Sequence, residues 1–573
     1  RSCIESSFFL DYEMTNFRRN HYHDYDEMTA WLQAVTAKYP DRAHLQSIGK
    51  TPEGRDIWVV LVTRFELGDA SDKPAYWIDG NTHASEIMGC EACLRTIDYL
   101  IERWDEPEVV AQMTDRAMYI CPRISADGAE YVLKNEHYVR SARRLWPEPH
   151  PHPGLNEQDI DGDGLILQMR VPAEDGAWRI SKKDPRLLMP RMPWDHEGPF
   201  FHLYAEGVFD DAAFEDPKRP VRPRDAHGLD FNRNYPSKWQ HEASQVGAGP
   251  YPLSEPETRA VVDFLNANRN IGGILSYHTY TGVLLRPYSD RPDSEMPAFD
   301  LSMYKVLGKR FEELSGFRCI STFHDFAYDK TKAITGAFDD WAYESYGVHC
   351  FTMELWSPSK HAGLDFSKDL LGFWKNRTED DEIALLKWND TELRGEAFVD
   401  WHSVEHPQFG PVDVGGWRWL YSFRNSPAWM LEAELLPTIS FTLDHLSALP
   451  RPKLDVRVEE IEGLFKITAR TTNDGYLPTN ITDVATQKKL VHDLHLELVL
   501  DGGELVEGPS NQRVRHLSGR AQASTLGLSS SHFGGKTSNH LDEYSWWVRG
   551  AGQAKIVWWG DRIGKVTEEI SWS

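Results

Sequence analysis

The string "GNTHASEIMGCE", residues 80–91, sets His83 and Glu86 three apart, between an apolar run and an amphipathic stretch. A histidine and a carboxylate at that spacing are a pair of metal ligands or ordinary polar residues at the mouth of a helix. Two further HxxE strings, "HSVE" from His402 and "HLDE" from His540, share the spacing. Only His83 and Glu86 stand at the carboxyl end of a predicted strand and the opening of a predicted helix, where open α/β sheets bind ligands. "GGILSYHTYTG" supplies His278 as the last residue of another predicted strand, so that two histidines and one carboxylate would leave zinc a position for water. Glu354 ends the apolar run "VHCFTME", where a carboxylate is costly unless it meets a cation, a metal or a proton it must move. Metal-activated hydrolysis is the chemistry this set would serve. Two arginine-bearing stretches, "HYVRSARRLWP" with Arg140, Arg143 and Arg144 and "HGLDFNRNYP" with Asp230, Asn232 and Arg233, suggest anion recognition in an otherwise acidic chain.

The elements that must position these residues read as an α/β sheet protein from about residue 25 to 380. "DIWVVLVT", "AYWIDG", "AMYICPRIS", "GGILSYH" and "VHCFTMEL" are short apolar runs bounded by Gly, Pro or polar residues, as buried strands are. Residues 1–24 read as an N-terminal arm. Residues 146–226, dense in Pro and charge, read as an insertion of loops over the sheet edge, and 381–453 as a partly helical connector. After the linker-like "LPRPKLDV", residues 454–573 alternate as strands with Gly- and Ser-rich turns, the pattern of a β-sandwich. Its Trp pairs are expected in the core or between domains, or else on a carbohydrate or partner surface.

At 573 residues more than one core is expected. Hydrophobic content of 40% with 12% aromatics is that of a globular protein, and no apolar run is long enough to span a membrane. A formal charge of -26 argues against nucleic acid or anionic lipid as partners, which need clustered Lys and Arg. Cys90 and Cys93 form a CxxC, but Ile87, Cys90, Leu94, Ile97 and Ile101 recur at helical spacing, so Cys90 is read as a core residue and redox chemistry as the lesser alternative. With no leader visible and Met14 as a candidate start, a cytoplasmic location is favoured; a secreted one would follow if Arg1 were a processed terminus.

Taken in order, these motifs resemble the M14 family of zinc metallocarboxypeptidases over roughly residues 22–380, beginning with "YHDYDEMTAWLQAVTAKYPDRAHLQSIGKTPEGRDIWVVLVT". The resemblance implies a three-layer α/β/α catalytic domain holding one zinc through His83, Glu86 and His278, with Asp230 orienting a histidine ligand. It further implies Glu354 as general base, Arg140 at the oxyanion, Asn232 and Arg233 on the terminal carboxylate of a peptide, with Arg143 nearby, and Tyr280 in a subsite. Counting back from Glu354, "ITGAFDDW" lines up with a family loop that places Asp339 at the base of the pocket for the departing side chain, where it would favour a cationic residue. The alternative is that Asp339 and Asp340 cap a short helix. The lid tyrosine of the family is replaced by Lys332, and Tyr328 is the nearest substitute. Within the insertion, Asp159, Asp161 and Asp163 form a DxDxDG run resembling a calcium loop; with Arg170 in the twelfth position, an acidic turn is the alternative to Ca2+.

The expected function is zinc-dependent removal of C-terminal residues from peptides. The rivals are a peptidoglycan or isopeptide amide hydrolase of the same fold, and a non-catalytic binding protein that kept it. The oligomeric state is left open.

Overall fold

The structure, a computed structural model, describes residues 17–147, 153–214, 228–327, 332–366, 370, 372–522 and 539–573. An eight-stranded mixed sheet runs in the order 43–50, 56–62, 117–121, 75–80, 271–279, 349–355, 283–286, 318–321. Its three central strands, Ala75–Gly80, Ile271–Thr279 and His349–Leu355, are mutually parallel and buried along their whole length. That is why they read as unbroken apolar runs: parallel strands covered by helices on both faces have no solvent side. Helix Tyr25–Lys38 starts at a capping box made by Asp24 and Glu27 and buries Met28, Trp31, Leu32 and Val35 along one stripe. Helix Met88–Glu102 buries Cys90 and Cys93, both unbridged, so the core reading of the CxxC holds. Gly80 and Gly89 allow this helix to touch the strand: a Cβ on Gly80 would lie 2.4 Å from the Gly89 carbonyl.

The insertion, read as loops, carries strands, and with strands of the partly helical connector they build a second, six-stranded antiparallel sheet. Strands Phe398–His406 and Gly410–Trp417 from the connector pair onto Gln168–Pro172, then Phe200–Ala205, Trp178–Ile180 and Leu188–Pro190 from the insertion. Arg170 joins the two contributions, donating from Nε and Nη2 to Asp413 Oδ2 at 3.0 Å each, with its guanidinium over the rings of Phe201 and Trp401. Helix Leu431–Ser447, also in the connector, packs on helices Ala298–Ser315 and Met88–Glu102 and belongs to the main core. These strands are three to nine residues long, and the pairing that joins the two contributions, Gln168–Pro172 with Gly410–Trp417, spans a long stretch of chain, so no local pattern announces the sheet.

From residue 452 the chain forms two four-stranded antiparallel sheets facing each other across a core of Leu454, Ile467, Leu496, Trp546, Ile556 and Trp558, a β-sandwich. Trp546 and Trp558 fill that core, as expected, whereas Trp559 stays 40% exposed and stacks on His495. The buried Arg562 anchors the sandwich by donating from Nη1 to the carbonyls of Arg269 and Ile271, at the start of the central strand Ile271–Thr279. Among the described residues no helix is long and apolar enough to cross a membrane.

Candidate active site

The carboxyl ends of the three central strands open into one cavity of about 410 Å³. His83 and Glu86 lie in the tight loop between strand Ala75–Gly80 and helix Met88–Glu102, while His278 and Glu354 face each other in the register of neighbouring parallel strands. The loop is laced to its surroundings: Ala84 N donates to the Arg140 carbonyl at 2.7 Å, Ser141 Oγ to the Thr82 carbonyl at 2.9 Å, and Phe231 N to Ser141 Oγ at 3.1 Å.

His83 Nδ1 is 3.0 Å from Glu86 Oε1, His278 Nδ1 is 2.9 Å from Glu86 Oε2, and the two Nδ1 atoms are 3.0 Å apart. All three side chains are buried. The other nitrogen of His83, Nε2, sits 3.1 Å from Asp230 Oδ1; a carboxylate only accepts, so Nε2 carries the proton and Nδ1 presents a lone pair inward. Two imidazole nitrogens and a carboxylate this close, on buried side chains at the floor of the cavity, could hold a metal ion between them. The donor set fits zinc with an open position.

Asp230 gathers three partners: His83 Nε2, the Asn232 backbone N–H at 2.9 Å and Arg140 Nε at 2.9 Å. Burial alone would raise its pKa, but the charges of Arg140, Arg233 and His83 outweigh that and hold it well below the usual range. Glu354 behaves in the opposite way: burial first, then the Glu86 carboxylate, push it up to about 8. A divalent cation held by Glu86 would cancel the second cause and draw the value down.

Arg140, Asn232, Arg233, Tyr280 and Asp339 also line the cavity. Asn232 Oδ1 accepts from the Phe338 backbone N–H at 2.8 Å. Gly336, at φ +69°, packs so closely that a Cβ there would strike the Arg233 carbonyl, which couples the Asp339 loop to the Asn232–Arg233 turn. Asp339 is 4% exposed, opens the short helix Phe338–Trp341, and has no ion-pair partner among the described residues. Burial raises its pKa, and that of the adjoining Asp340.

Other expected site residues fall elsewhere. Arg143 is not brought to the cavity; it pairs with Glu53 at 2.9 Å, stacks over Tyr131 and lines a neighbouring depression. Tyr328 lies outside the described residues. Asp159, Asp161 and Asp163 do converge, with carboxylate oxygens within 4.8 Å of one another, in an exposed turn. Asp159 accepts from Gly162 and Gly164, Asp163 from Leu165, and Asp161 pairs with His402 Nε2 at 2.6 Å. Arg424, which no motif marks, lines the cavity beside Glu86 and Tyr280. One of two arginines in the aromatic string "WRWLYSFRN", it has no motif around it by which to find it.

The zinc carboxypeptidase family, Peptidase_M14, matches residues 28–380, and a family described as a domain of unknown function (DUF8731) matches residues 453–571. Bovine carboxypeptidase B2 is 24% identical over 352 residues, 60% of this chain and 64% of its own length. Carboxypeptidase A6 of Mus musculus is 22% identical, with 58% of this chain and 60% of its own length covered. The match thus spans less than two thirds of either relative. Carboxypeptidase B of Astacus astacus is 24% identical over 58% of this chain and 86% of its own. The crystal structure of thrombin activatable fibrinolysis inhibitor aligns with a TM-score of 0.43 at 19% identity, covering 75% of each chain. By the span of the family match, which takes in every residue of the His83–Glu86–His278 group, this chain belongs to the zinc carboxypeptidase family M14.

Proposed function

We propose that the chain is a zinc-dependent carboxypeptidase that hydrolyses the C-terminal peptide bond of peptides. The observation that carries this reading is the meeting, in one cavity, of the His83–Glu86–His278 donor set, a buried Glu354 that is no part of it, and the Asn232–Arg233 pair. Zinc, when bound, would supply Lewis acidity at the scissile carbonyl and to a water molecule.

The chain's own residues do the rest. Glu354, buried and poised to hold a proton, takes one from the attacking water and passes it to the leaving amine. Arg140, fixed by Asp230, faces the charge that develops on the carbonyl oxygen. Arg233 and Asn232 grip the terminal carboxylate, because a planar guanidinium fork matches two carboxylate oxygens, and this makes the enzyme read a chain end. Tyr280 flanks the bound chain. Asp339, buried and with no salt bridge to a described residue, receives a basic departing side chain. We infer a catalytic unit running from residue 25 through helix Leu431–Ser447, followed by the sandwich domain.

A peptide mixture incubated with and without a chelator, its ends read by mass spectrometry, tests the reading. Chelator-sensitive loss of single C-terminal residues is expected. Internal cleavage would exclude an exopeptidase, and absence of any cleavage would favour a binding protein that kept the fold.

A further inference from the structure

Arg424 lies beyond residue 380, where the family match ends, yet its guanidinium forms part of the cavity wall. It is held there by its neighbours. Asn425 Nδ2 donates to the Ser85 carbonyl at 2.9 Å, Asn425 Oδ1 accepts from Met88 N at 3.0 Å, and Trp356 Nε1 donates to the Ser422 carbonyl at 2.7 Å. The segment is therefore clamped to the loop of His83 and Glu86 on one side and to the end of the Glu354 strand on the other.

The guanidinium lies over the Tyr280 ring, 4.9 Å from its centroid, with the Tyr138 ring at 5.9 Å. Only Nη1 donates, to the Thr279 carbonyl at 3.2 Å and to Glu86 Oε1 at a long 3.4 Å. Nε is buried without a partner, and Nη2 makes no hydrogen bond among the described residues. The side chain is 19% exposed. Its one salt-bridge partner among the described residues, Glu86, is shared with Arg140 Nη1 at 3.6 Å and with both histidines, while Glu354 on the same cavity wall feels its charge without bonding to it. Once Glu86 serves a metal, two guanidiniums are left facing the cavity, and only Arg140 has a second carboxylate, Asp230. A mostly desolvated cation in that position calls for an anionic ligand.

The departing residue cannot be that ligand, because Arg233, Asn232 and Asp339 cluster around its place and are tied to one another. Arg424 with Tyr138 and Tyr280 forms a separate group, which leaves it the other side of the scissile bond. We propose that Arg424 is a specificity-determining residue that binds a carboxylate side chain on the substrate residue immediately before the scissile bond. The proposal rests on the carboxypeptidase reading above.

Peptides sharing one C-terminal residue and differing only in penultimate Glu, Gln or Lys test it. Wild type should favour Glu over Gln on the order of ten-fold in kcat/KM, mainly through KM. Arg424→Gln should abolish that preference, Arg424→Lys keep part of it, and Arg424→Glu invert it toward Lys. In the Kd of uncleaved peptides, Glu354→Gln should keep the preference for Glu and the Glu354→Gln/Arg424→Gln protein should lose it. Equal wild-type rates on all three peptides would overturn the proposal while leaving the carboxypeptidase reading intact. Arg424→Gln lowering all three rates alike, together with loss of zinc, would also overturn it, because Arg424 would then only support Glu86. If wild type cleaves no peptide at all, the carboxypeptidase reading falls and the assignment of Arg424 with it.

Discussion

Asp339→Asn isolates the charge at the base of the pocket without changing its shape. The carboxylate is 4% exposed and accepts the Asp340 backbone N–H at 3.0 Å, a bond an asparagine Oδ1 keeps. No described residue forms a salt bridge with it, and the nearby His278 and Arg233 charges favour its ionised form, so the charge can meet a substrate ammonium or guanidinium. Removing one member of a desolvated charge pair costs 2–5 kcal/mol; an asparagine Oδ1 still accepts a hydrogen bond from the substrate cation, so the lower half of that range applies, about 3 kcal/mol or ~10²-fold. The assay is kcat/KM on matched peptides ending in Lys and in Phe. Wild type should prefer Lys, and Asp339→Asn should lower the Lys to Phe ratio by ~10². The substitution should also stabilise the free protein. Burial raises the folded pKa of Asp339 above its ordinary 3.8, so between the two values the folded state binds more protons than the unfolded, and wild-type stability falls as pH rises through that window. The gain in Tm from Asp339→Asn should therefore be small at pH 3 and larger at pH 8. A wild type that prefers Phe, or a ratio untouched by the substitution, would refute the assignment.

Glu354→Gln should keep zinc near one equivalent, read by atomic absorption, and lose on the order of 10²-fold or more in kcat, since it removes a proton carrier and no ligand; loss of metal would mean Glu354 is misassigned. His83→Ala or His278→Ala should instead lose the metal itself, and normal zinc content in either would move the site elsewhere. Asp230→Asn should weaken zinc binding roughly 10–100-fold in a chelator competition, because it loosens the grip on His83 Nε2, and should depress kcat further by releasing Arg140. Arg170→Ala should lower unfolding free energy by about 2 kcal/mol in denaturant titration, less than a fully buried pair because the Asp413 side chain is 31% exposed. An unchanged midpoint would mean that Arg170 does not hold the six-stranded sheet together.

The central sheet was legible because each of its three central strands is buried on both faces and so declares itself locally, in six to nine consecutive residues. His83, Glu86, His278 and Glu354 could be found for the same reason: they stand at the ends of those runs. The six-stranded sheet was not legible, since Gln168–Pro172 and Gly410–Trp417 satisfy each other across a separation of some 240 residues and neither carries a pattern alone. Arg424 escaped for a related reason. Its function depends on where Asn425 and Trp356 hold it, a tertiary fact with no local spelling. Arg143 shows the converse: it shares a stretch with Arg140, but the chain between them is irregular and its side chain turns to Glu53.

The clamp made by Asn425 also sets an order of events. Its bonds to Ser85 and Met88 close loops of 340 and 337 residues. A ribosome adding about 5–20 residues per second exposes the His83–Glu86 loop some tens of seconds before the segment that pins it. The ligands exist early, but the cleft around them is completed late. A nascent chain stalled before residue 420 carries the whole metal-binding set without the wall that fixes it, so hydrolytic competence should arrive only after that later segment has emerged and docked.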